Sequence, residues 1–366
     1  MRIVSTSYSK SPEFSSPQDW LKRISFYTGI LERLAVQNEV VSIERIDYEG
    51  NYSQKGVDYH FIRQKGKVAF FPWKTHRLIR KIKPDVVMIN GFIFPLQIIQ
   101  LRLYLGKAVK IIILHRAEKP FTKWRKYLQK AADKNVNAYL FVSSEFGKEW
   151  VQKGIISDQK KVHEVIQSSS SFYPEDRDVA RAGLSISGSP VFLWVGRLDT
   201  NKDPVTVVKA FIQFLTFRPE AQLYMIYQTE ELLKEIKDLI KANQKTKGAI
   251  KLIGNVSHEQ LQTWYNSADF IISGSHYEGS GIAVSESMSC GCIPVVTNII
   301  SFRRMTGPGK CGLLYEPGNE ESLLATLLQT LHMDIKKERS KVLQQFKDEL
   351  SFEAIAKKIE RVILSL

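Results

Sequence analysis

The sequence predicts an α/β protein with two doubly wound parallel sheets. Short β-branched runs alternate with segments whose apolar residues recur at helical spacing, and this alternation restarts after the serine run 168–171. A length of 366 residues also suits two domains. We therefore place a linker near 168–175 and expect an N-terminal domain at 1–170, a C-terminal domain at 171–348 and a closing helix at 349–366.

The first domain has five predicted strands: Arg2–Ser5, Val40–Arg45, Asp85–Asn90, Val109–Leu114 and Ala138–Ser143. Four helices are predicted between them: Pro17–Ala35, Thr75–Ile82, Leu96–Leu105 and Lys119–Ala132. Because strands and helices alternate, we expect the strands to be parallel and joined by crossover helices.

The second domain repeats this rhythm with five further strands: Val191–Val195, Gln222–Ile226, Ile250–Gly254, Asp269–Ser273 and Ile293–Thr297. The last segment, Phe352–Leu366, is a predicted amphipathic helix. Its apolar side consists of Ile355, Ile359, Val362 and Ile363.

The composition is that of a globular protein, with 43% hydrophobic and 25% charged residues, and it excludes a disordered or collagen-like chain. Three cysteines are too few for a disulfide framework and form no zinc-ligand pattern, which favours a reducing compartment. They are Cys290, Cys292 and Cys311. The first residues lack the apolar run of a signal peptide, and polar side chains interrupt the longest apolar stretch, Phe92–Leu105. We therefore expect neither secretion nor a membrane span.

The net charge of +14 comes from one part of the chain. Residues 55–134 hold 19 basic and 4 acidic residues, and aromatic residues lie among these charges, as in FFPWKTHR and KWRKY. Basic helices with large aromatics bind anionic membrane surfaces, so residues 63–130 are a candidate membrane-contact surface. A solvated basic face with its aromatics in the core is the alternative, and nucleic-acid binding is less favoured.

The loop after the strand Val191–Val195 has the composition of a phosphate-binding site. Gly196 permits a tight turn, and Asp203 suits the cap of the next helix. Arg197 and Lys202 supply a planar guanidinium and a point charge, a combination that suits a diphosphate. Ligands bind at this end of the strands in open α/β sheets. The alternative is that both cations are solvated loop charges.

A second candidate loop follows the strand Asp269–Ser273 and leads into a helix at Ile282. Small residues before that helix leave backbone N–H groups exposed at its N-terminus, where an anion or a hydroxyl-rich ligand binds favourably. They are Gly279, Ser280 and Gly281. Glu278 precedes the helix and Glu286 lies inside it, so the two carboxylates can accept hydrogen bonds from different sugars of one extended ligand. The alternative is a surface Glu286 and a Glu278 that only complements the helix dipole.

These residues resemble the motifs of a known family. Gly196, Arg197 and Lys202, followed by the stretch HYEGSGIAVSESMSCGCIPVVT, are similar to those of the retaining, nucleotide-sugar-dependent glycosyltransferases of family 4, which have the GT-B fold. The resemblance is continuous from about Pro190 to Gly318. It implies two Rossmann-like domains facing a central cleft, the first binding the acceptor and the second the donor, with the C-terminal helix returning to the N-terminal domain.

The resemblance also implies a role for each candidate in the donor site. Glu286 would bind the donor's ribose hydroxyls, and Arg197 with Lys202 would hold the diphosphate beside Gly196 and stabilise it as it leaves. Glu278 would grip the transferred sugar together with the backbone amides of Gly279, Ser280 and Gly281.

One candidate lies in the N-terminal domain. By the resemblance, His115, at the end of the strand Lys110–His115, would face the donor sugar from the acceptor side, and a structural histidine is the alternative. Neither candidate loop contains an Asp-x-Asp sequence, so we expect a metal-independent reaction with no cofactor besides the donor substrate. The reacting face offers no obvious second carboxylate nucleophile, which favours front-face attack over double displacement.

The sequence therefore predicts a retaining hexosyltransferase that moves a sugar from a nucleotide-diphosphate-sugar to a glycan or lipid-linked acceptor. The expected setting is cell-surface polysaccharide or glycolipid synthesis, in the cytoplasm or peripherally on the inner face of the membrane. Two alternatives stay open. One is another GT-B enzyme, such as a nucleotide-sugar epimerase or hydrolase, and the other is a non-catalytic protein whose basic segment binds membrane or nucleic acid.

Overall fold

The computed structural model describes residues 1–63, 71–243, 246 and 248–366. The chain divides into two compact units. The N-terminal unit comprises Met1–Ser169 together with Phe352–Leu366, and the C-terminal unit comprises Ser170–Ser351. These divisions lie within a few residues of the boundaries expected from the sequence.

An eight-stranded sheet forms the centre of the N-terminal unit. Its strands are β1 (Arg2–Thr6), β2 (Glu39–Glu44), β3 (Gly50–Gln54), β4 (Val57–Phe61), β5 (Val86–Asn90), β6 (Lys110–Leu114), β7 (Ala138–Phe141) and β8 (Val162–Glu164). Their order is β3-β4-β2-β1-β5-β6-β7-β8, and only the β3–β4 pair is antiparallel. The strand order reverses between β1 and β5, which is where open α/β sheets bind ligands.

Helices connect these strands: α1 (Pro17–Arg23), α2 (Ser25–Leu34), α3 (Trp73–Ile82), α4 (Pro95–Leu105), α5 (Arg125–Asp133) and α6 (Ser144–Gln152). The single helix predicted at Pro17–Ala35 is two helices that meet at Ile24. The helix predicted from Lys119 begins only at Arg125. Lys123 explains this difference, because its φ of 53° is left-handed and interrupts a right-handed helix.

The core of the N-terminal unit lies on both faces of its sheet. Val87, Met88 and Ile89 of β5 are fully buried, as are Ile111–Leu114 of β6. Such continuous apolar burial is typical of parallel strands covered by helices on both sides.

The C-terminal helix, α15 (Phe352–Ser365), packs within the N-terminal unit. A Cβ at Gly29 of α2 would lie 2.5 Å from the Phe352 ring, so glycine leaves the space that this ring fills. Asn38 Nδ2 donates to Glu360 Oε1 at 2.9 Å, and Lys110 Nζ donates to the Leu366 carbonyl oxygen at 2.6 Å. The buried apolar residues of α15 include the four that the sequence placed on one side.

The C-terminal unit has a six-stranded, fully parallel sheet. Its strands are β9 (Val191–Gly196), β10 (Gln222–Tyr227), β11 (Ile250–Gly254), β12 (Phe270–Ser273), β13 (Ile293–Thr297) and β14 (Leu313–Tyr315). Their order is β11-β10-β9-β12-β13-β14, so the order reverses between β9 and β12.

The helices of this unit are α7 (Arg177–Gly183), α8 (Pro204–Phe214), α9 (Leu233–Ala242), α10 (His258–Ser267), α11 (Ile282–Ser289), α12 (Ile300–Thr306), α13 (Glu320–Thr330) and α14 (Ile335–Gln345). Across the described parts of both units, we find no helix with the combined length and apolar character that crossing a bilayer requires.

Candidate active site

The two loops singled out in the sequence meet at the carboxyl edge of the C-terminal sheet. One follows β9 and the other follows β12, and these strands are neighbours. The Asn201 carbonyl oxygen accepts from the His276 N–H at 2.8 Å, and Asn201 Nδ2 donates to the Tyr277 carbonyl oxygen at 3.1 Å. The site is therefore built at the point where the strand order reverses.

Gly274 allows the two loops to approach each other this closely. A Cβ at this position would lie 2.8 Å from the Asp203 carbonyl oxygen and 2.9 Å from that of Lys202. Both neighbours are backbone atoms, so neither can turn aside as a side chain would. Gly274 was not among the predicted site residues, although an isolated glycine directly after a strand indicates a close backbone approach.

Lys202 and Glu278 form an ion pair between the two loops. Lys202 Nζ donates to Glu278 Oε1, and the two side chains are 23% and 14% exposed. Ser275 Oγ donates to the same carboxylate oxygen at 2.7 Å, and Ser301 Oγ donates to the Glu278 carbonyl oxygen at 2.5 Å. The structure thus brings together two residues that the sequence analysis selected from loops 76 positions apart.

This pair lines a small cavity of about 20 Å³ whose wall also includes Gly281. Apolar residues of β9, β12 and α11 complete the wall, among them Val195 and Ile272. A cavity of this size holds about one water molecule. A larger group therefore does not fit into this cavity unless its wall rearranges.

The N-terminus of α11 adds a positive dipole to the same wall. Gly281 is the N-cap residue with φ of 51°, a left-handed conformation that glycine adopts without a steric penalty. A Cβ there would also lie 2.7 Å from the Phe302 ring. Since a glycine cap offers no side-chain acceptor, the first N–H groups of the helix stay available for an anionic or hydroxyl ligand.

Asp203 orients the loop after β9. Its carboxylate accepts from the Thr206 N–H at 3.2 Å, which is the predicted cap of α8. Its other oxygen, Oδ2, lies 3.3 Å from His276 Nε2 of the second loop. One carboxylate thus starts a helix and holds both loops in register.

Gly196 lies beside a bulky neighbour. A Cβ on Gly196 would lie 3.2 Å from the Trp194 ring and 3.6 Å from Lys202 Cγ. Gly196 does not have the positive φ that a glycine-dependent tight turn would show. A side chain at position 196 would be crowded by the Trp194 ring and the Lys202 side chain. This crowding explains the glycine better than the tight turn expected from the sequence.

Arg197 lies outside the cavity formed by the Lys202–Glu278 pair. Its side chain is 59% exposed, and its Nη2 lies 3.0 Å from Asp199 Oδ2. Asp199 Oδ1 in turn accepts from the Lys202 N–H at 2.9 Å. Arg197 is therefore on the same loop as Lys202 but in a separate ion pair.

Glu286 is held by residues that the sequence analysis did not select. It lies on α11 and is 6% exposed, and the described structure gives its oxygens two partners from α10. His258 Nε2 lies 2.7 Å from Oε1, and the Tyr265 hydroxyl donates to Oε2 at 3.2 Å. Burial and the nearby carboxylate raise the pKa of Tyr265 well above its ordinary value, so the hydroxyl stays protonated as a donor. Glu286 is thus neither a surface residue nor a lining residue of the Lys202 cavity.

His115 lies in the N-terminal unit, at the end of β6, and is 3% exposed. Its ring lies 4.3 Å from the Phe141 ring, measured between centroids, and 5.5 Å from that of Trp150. The Ala117 N–H approaches Nδ1 at 3.3 Å, while Nε2 lies 2.9 Å from the Glu118 carbonyl oxygen. Burial lowers the pKa of His115, which keeps the ring neutral. This environment fits the structural histidine kept as the alternative, and its role at the donor sugar stays a prediction.

Four aromatic side chains of the basic segment are exposed. Phe71 is 69% exposed, Trp73 45%, Trp124 68% and Tyr127 61%. Arg77 lies over the Trp73 ring at 5.1 Å and Lys126 over the Tyr127 ring at 5.2 Å, so aromatic and cationic groups share the surface. For these four residues the alternative of a core position is wrong. Phe70 lies outside the described residues.

The described ranges contain no group of three or more His, Cys, Asp or Glu side chains arranged to share a metal ion. The three cysteines are buried and form no disulfide, and burial raises the pKa of Cys290 and of Cys311 to about 12, so both are neutral thiols.

The C-terminal unit carries the domain of a known family. Residues 176–349 match the family model described as glycosyl transferases group 1, and this segment belongs to that family. It contains Lys202, Glu278 and Glu286. For residues 176–349 the predicted glycosyltransferase family is therefore confirmed.

Two curated relatives illustrate the match. Mannosylfructose-phosphate synthase of Agrobacterium fabrum is 28% identical over 160 residues, which cover 42% of this chain and 35% of the relative. O-antigen chain mannosyltransferase B of Escherichia coli is 34% identical over 87 residues, which cover 24% of this chain and 22% of the relative. The chain thus aligns with about a third or less of the length of these two relatives.

A solved structure matches over the whole chain. The crystal structure of Anabaena HepE in complex with UDP has a TM-score of 0.74 and 14% identity, and the match covers 100% of both chains. This likeness confirms the predicted fold class, GT-B, with two α/β units built on parallel sheets.

Proposed function

We propose that this protein is a retaining glycosyltransferase that transfers a hexosyl group from a nucleotide-diphosphate-sugar. One observation carries the proposal. Lys202 and Glu278 meet at the carboxyl ends of β9 and β12, inside the segment that belongs to the group 1 glycosyl transferases. The donor's diphosphate and sugar would bind at this edge of the C-terminal sheet.

Positive charge near the departing diphosphate is the main chemical requirement of the reaction. As the bond between the sugar carbon and the phosphate oxygen breaks, negative charge develops on that oxygen, and fixed cations stabilise it. Lys202 already lies beside the α11 N-terminus, and Arg197 on the same loop reaches the diphosphate once it leaves Asp199. We propose that these groups replace a metal ion, so the reaction proceeds without one.

When the Lys202–Glu278 ion pair opens, each of its two side chains can bind a different part of the donor. Lys202 then pairs with phosphate, and Glu278 becomes free to accept hydrogen bonds from hydroxyls of the transferred sugar. The amides of Gly279, Ser280 and Gly281 would hold the same donor, and Glu286 would accept from its ribose. We propose front-face attack, with the acceptor oxygen approaching on the face from which the diphosphate leaves.

A nucleoside diphosphate moiety and a glycan acceptor are supported by the relatives. HepE, which matches this chain along its whole length, is in complex with UDP. The E. coli relative is a mannosyltransferase of an O-antigen chain. We propose that this chain likewise extends a glycan or lipid-linked saccharide of the cell surface, acting in the cytoplasm.

The exposed aromatics of the basic segment support a membrane setting. Trp124 and Tyr127 lie at the start of α5 among Arg125 and Lys126, which is the pattern of an interfacial helix. We propose that this surface binds anionic lipid on the inner face of the membrane.

Co-sedimentation with phosphatidylglycerol vesicles tests this proposal. The wild type should sediment with the vesicles, and the double variant Trp124→Ala/Tyr127→Ala should stay in the supernatant. The variant Phe217→Ala, which removes an aromatic ring 58% exposed in the C-terminal unit, should bind as the wild type does. Equal retention of all three proteins would contradict the membrane assignment.

The transfer reaction itself can be tested with a panel of uridine-, guanosine- and adenosine-linked sugars and saccharide acceptors. We expect one donor to release nucleoside diphosphate in an acceptor-dependent way, in the presence of EDTA, with a product whose anomeric configuration by NMR equals that of the donor. Donor turnover without acceptor, with an isomerised or hydrolysed sugar, would identify another kind of nucleotide-sugar enzyme. Abolition by EDTA would contradict the metal-independent mechanism.

A further inference from the structure

The N-terminal unit contains a cavity that the donor site does not use. Its volume is about 200 Å³, and it lies at the carboxyl ends of four neighbouring strands: β2, β1, β5 and β6. Ser7 follows β1, Glu44 and Arg45 lie at the end of β2, Asn90 ends β5, and Arg116 follows β6. This is the point where the order of the N-terminal sheet reverses, so the cavity occupies the position at which such sheets bind ligands.

Arg45 places a buried positive charge in the cavity wall. The residue is 4% exposed, and its Nη2 donates to Thr75 Oγ1 at 2.7 Å. Its guanidinium lies 4.8 Å from the centre of the Tyr8 ring. Its Nε is buried and has no acceptor among the described residues. The Glu44 carboxylate acts on this charge, but a buried charge whose N–H groups are only partly satisfied is still costly, so an anion at this wall would offset part of that penalty.

Arg116 supplies a second guanidinium to the same wall. Its Nε donates to Asn90 Oδ1 at 3.0 Å, its Nη1 donates to the Gln167 carbonyl oxygen at 3.0 Å, and its guanidinium lies 4.6 Å from the centre of the Tyr27 ring. These acceptors are neutral. They hold the planar group in place, while the Glu44 and Glu118 carboxylates nearby offset part of its charge.

Glu44 is the single carboxylate among the residues that line the cavity. It accepts from Ser42 Oγ at 2.7 Å and from Trp20 Nε1 at 3.0 Å. Burial raises the pKa of this carboxyl, so the cavity disfavours its negative charge. Two guanidiniums and one carboxylate give the wall a net positive charge.

The remaining lining residues suit a saccharide. Ser7, Ser9 and Ser11 line the cavity together with Trp20, Phe26 and Tyr27. Hydroxyls can exchange hydrogen bonds with those of a sugar, and aromatic faces pack against its C–H groups. The volume is that of roughly six or seven waters, which suits a single sugar unit rather than a longer chain.

We propose that this cavity binds an acceptor sugar that carries an anionic group, a phosphate monoester or a carboxylate, held by Arg45 and Arg116. The inference rests on the proposed function and narrows its acceptor to an acidic saccharide. The serine and aromatic groups would position the sugar ring, while the two guanidiniums select for charge. Charge-assisted hydrogen bonds to guanidinium are the stronger kind, so the anionic group contributes most of the selectivity.

The test measures binding to the full chain by calorimetry, with and without UDP. The probes are glucose 6-phosphate, glucuronate, glucose and inorganic phosphate. We expect at least one of the two acidic sugars to bind at least tenfold more tightly than glucose and than inorganic phosphate. Glucose 6-phosphate alone would assign a phosphate monoester, and glucuronate alone a carboxylate. Binding of inorganic phosphate as tight as that of either acidic sugar, equal binding of glucose, or binding of no acidic sugar would overturn the proposal.

Three variants locate the site. Arg45→Met should weaken binding of the acidic sugar at least tenfold, and Glu44→Gln should tighten it severalfold because it removes the opposing charge. Arg63→Gln, which removes a half-exposed arginine paired with Asp47 outside the cavity, should leave binding unchanged. If Arg45→Met fails to fold, the direction of the Glu44→Gln effect decides. Unchanged or weaker binding in Glu44→Gln would overturn the assignment.

The two proposals fail separately in this design. If the chain binds a nucleotide-sugar but no acidic sugar, the acceptor inference is wrong and the proposed transferase function stands. If it binds an acidic sugar but no nucleotide-sugar, the cavity assignment stands and the transferase function is wrong.

Discussion

Lys202 Nζ is bonded to Glu278 Oε1 across two loops whose sequence positions are 76 residues apart. The two groups are expected to hold different parts of one donor, and in the free protein they neutralise each other. A third group, the Ser275 hydroxyl at 2.7 Å, fixes the carboxylate in this arrangement. In the proposed site, donor binding would exchange one internal ion pair for two contacts with the ligand, which makes the pair a direct target for mutation.

Replacement of Lys202 should affect catalysis far more than folding. In Lys202→Ala we expect kcat to fall by about 10²–10³, since a fixed cation next to the leaving diphosphate is removed. The unfolding free energy should change by about 1 kcal/mol or less, because a partly exposed ion pair contributes little to stability. Steady-state kinetics and thermal unfolding measure both quantities. The control is Lys209→Ala, which removes an exposed lysine of α8. Wild-type turnover in Lys202→Ala would show that Lys202 does not bind the diphosphate.

Glu286 should act through donor affinity. In Glu286→Gln we expect the KM for the donor to rise by about tenfold or more, because a carboxylate acceptor for hydroxyls becomes a neutral amide. Tyr265→Phe removes only the 3.2 Å hydrogen bond to Glu286 and should raise KM less. If Glu286→Gln left KM unchanged, or if Tyr265→Phe had the larger effect, the ribose assignment would be wrong.

Gly274 should be intolerant of any side chain. The Cβ of Gly274→Ala would lie under 3 Å from two backbone oxygens, so the loops must separate, at a cost of about 1–3 kcal/mol in unfolding free energy. Donor affinity should fall as well, because the Lys202–Glu278 geometry depends on this contact. Gly183→Ala is the matched control, since a Cβ at that end of α7 meets nothing within 4 Å. Denaturant unfolding of both variants measures the difference, and equal stability would contradict the close approach.

His76 should make the protein sensitive to acid. Burial lowers the pKa of His76 to about 4, while the unfolded chain has an ordinary value near 6.5. Between these values the unfolded state binds a proton that the folded state does not, so stability falls as pH falls from about 6.5 to about 4. The pKa values of His60, His115 and His163 are also lowered by burial and add a slope of the same sign.

The variant His76→Gln isolates this contribution. Its amide can still bond to the Tyr8 hydroxyl, which lies 2.9 Å from His76 Nε2 in the wild type. We expect the melting temperature of the wild type to drop more than that of His76→Gln between pH 7 and pH 4.5. Parallel pH profiles for the two proteins would show that His76 titrates normally in the folded state.

Strand and helix periodicity was sufficient to predict the two parallel sheets. Each predicted strand is present within one or two residues, because parallel strands buried on both faces are read from continuous apolar runs. The hairpin of β3 and β4 was missed, although Val57, Tyr59 and Phe61 alternate toward the core and Lys55-Gly56 has positive φ at both positions. A short edge hairpin carries few apolar residues, so its signal is weak compared with that of the central strands.

Periodicity alone could not fix the helix boundaries near α1 and α5. The apolar pattern of Pro17–Ala35 is continuous, yet Ile24 departs from helical geometry with φ of −103° and ψ of 21°. A single residue with non-helical backbone angles leaves the spacing of the neighbouring apolar residues unchanged. The apolar pattern therefore does not show where the first helix ends. The late start of α5 is not encoded in that pattern either, because the left-handed Lys123, with φ of 53°, leaves the apolar spacing unchanged.

The charged residues of the candidate site could be predicted from the sequence, but the residues that contact and position them could not. Lys202 and Glu278 follow adjacent parallel strands, and the sequence placed both at one sheet edge. The partners of Glu286 come from α10, so His258 and Tyr265 could be found only once the packing of α10 against α11 was known. Burial of His115 among aromatic rings likewise depends on three-dimensional packing that no local pattern encodes.

The most direct measurement is calorimetric titration of the chain with nucleotide-sugars, comparing the wild type with Lys202→Ala and Lys209→Ala. We expect one nucleotide-sugar to bind the wild type and Lys209→Ala with the same Kd, and to bind Lys202→Ala at least tenfold more weakly. Equal affinity of all three proteins, or heat from no nucleotide-sugar in the wild type, would contradict the assignment of this loop pair to an activated sugar.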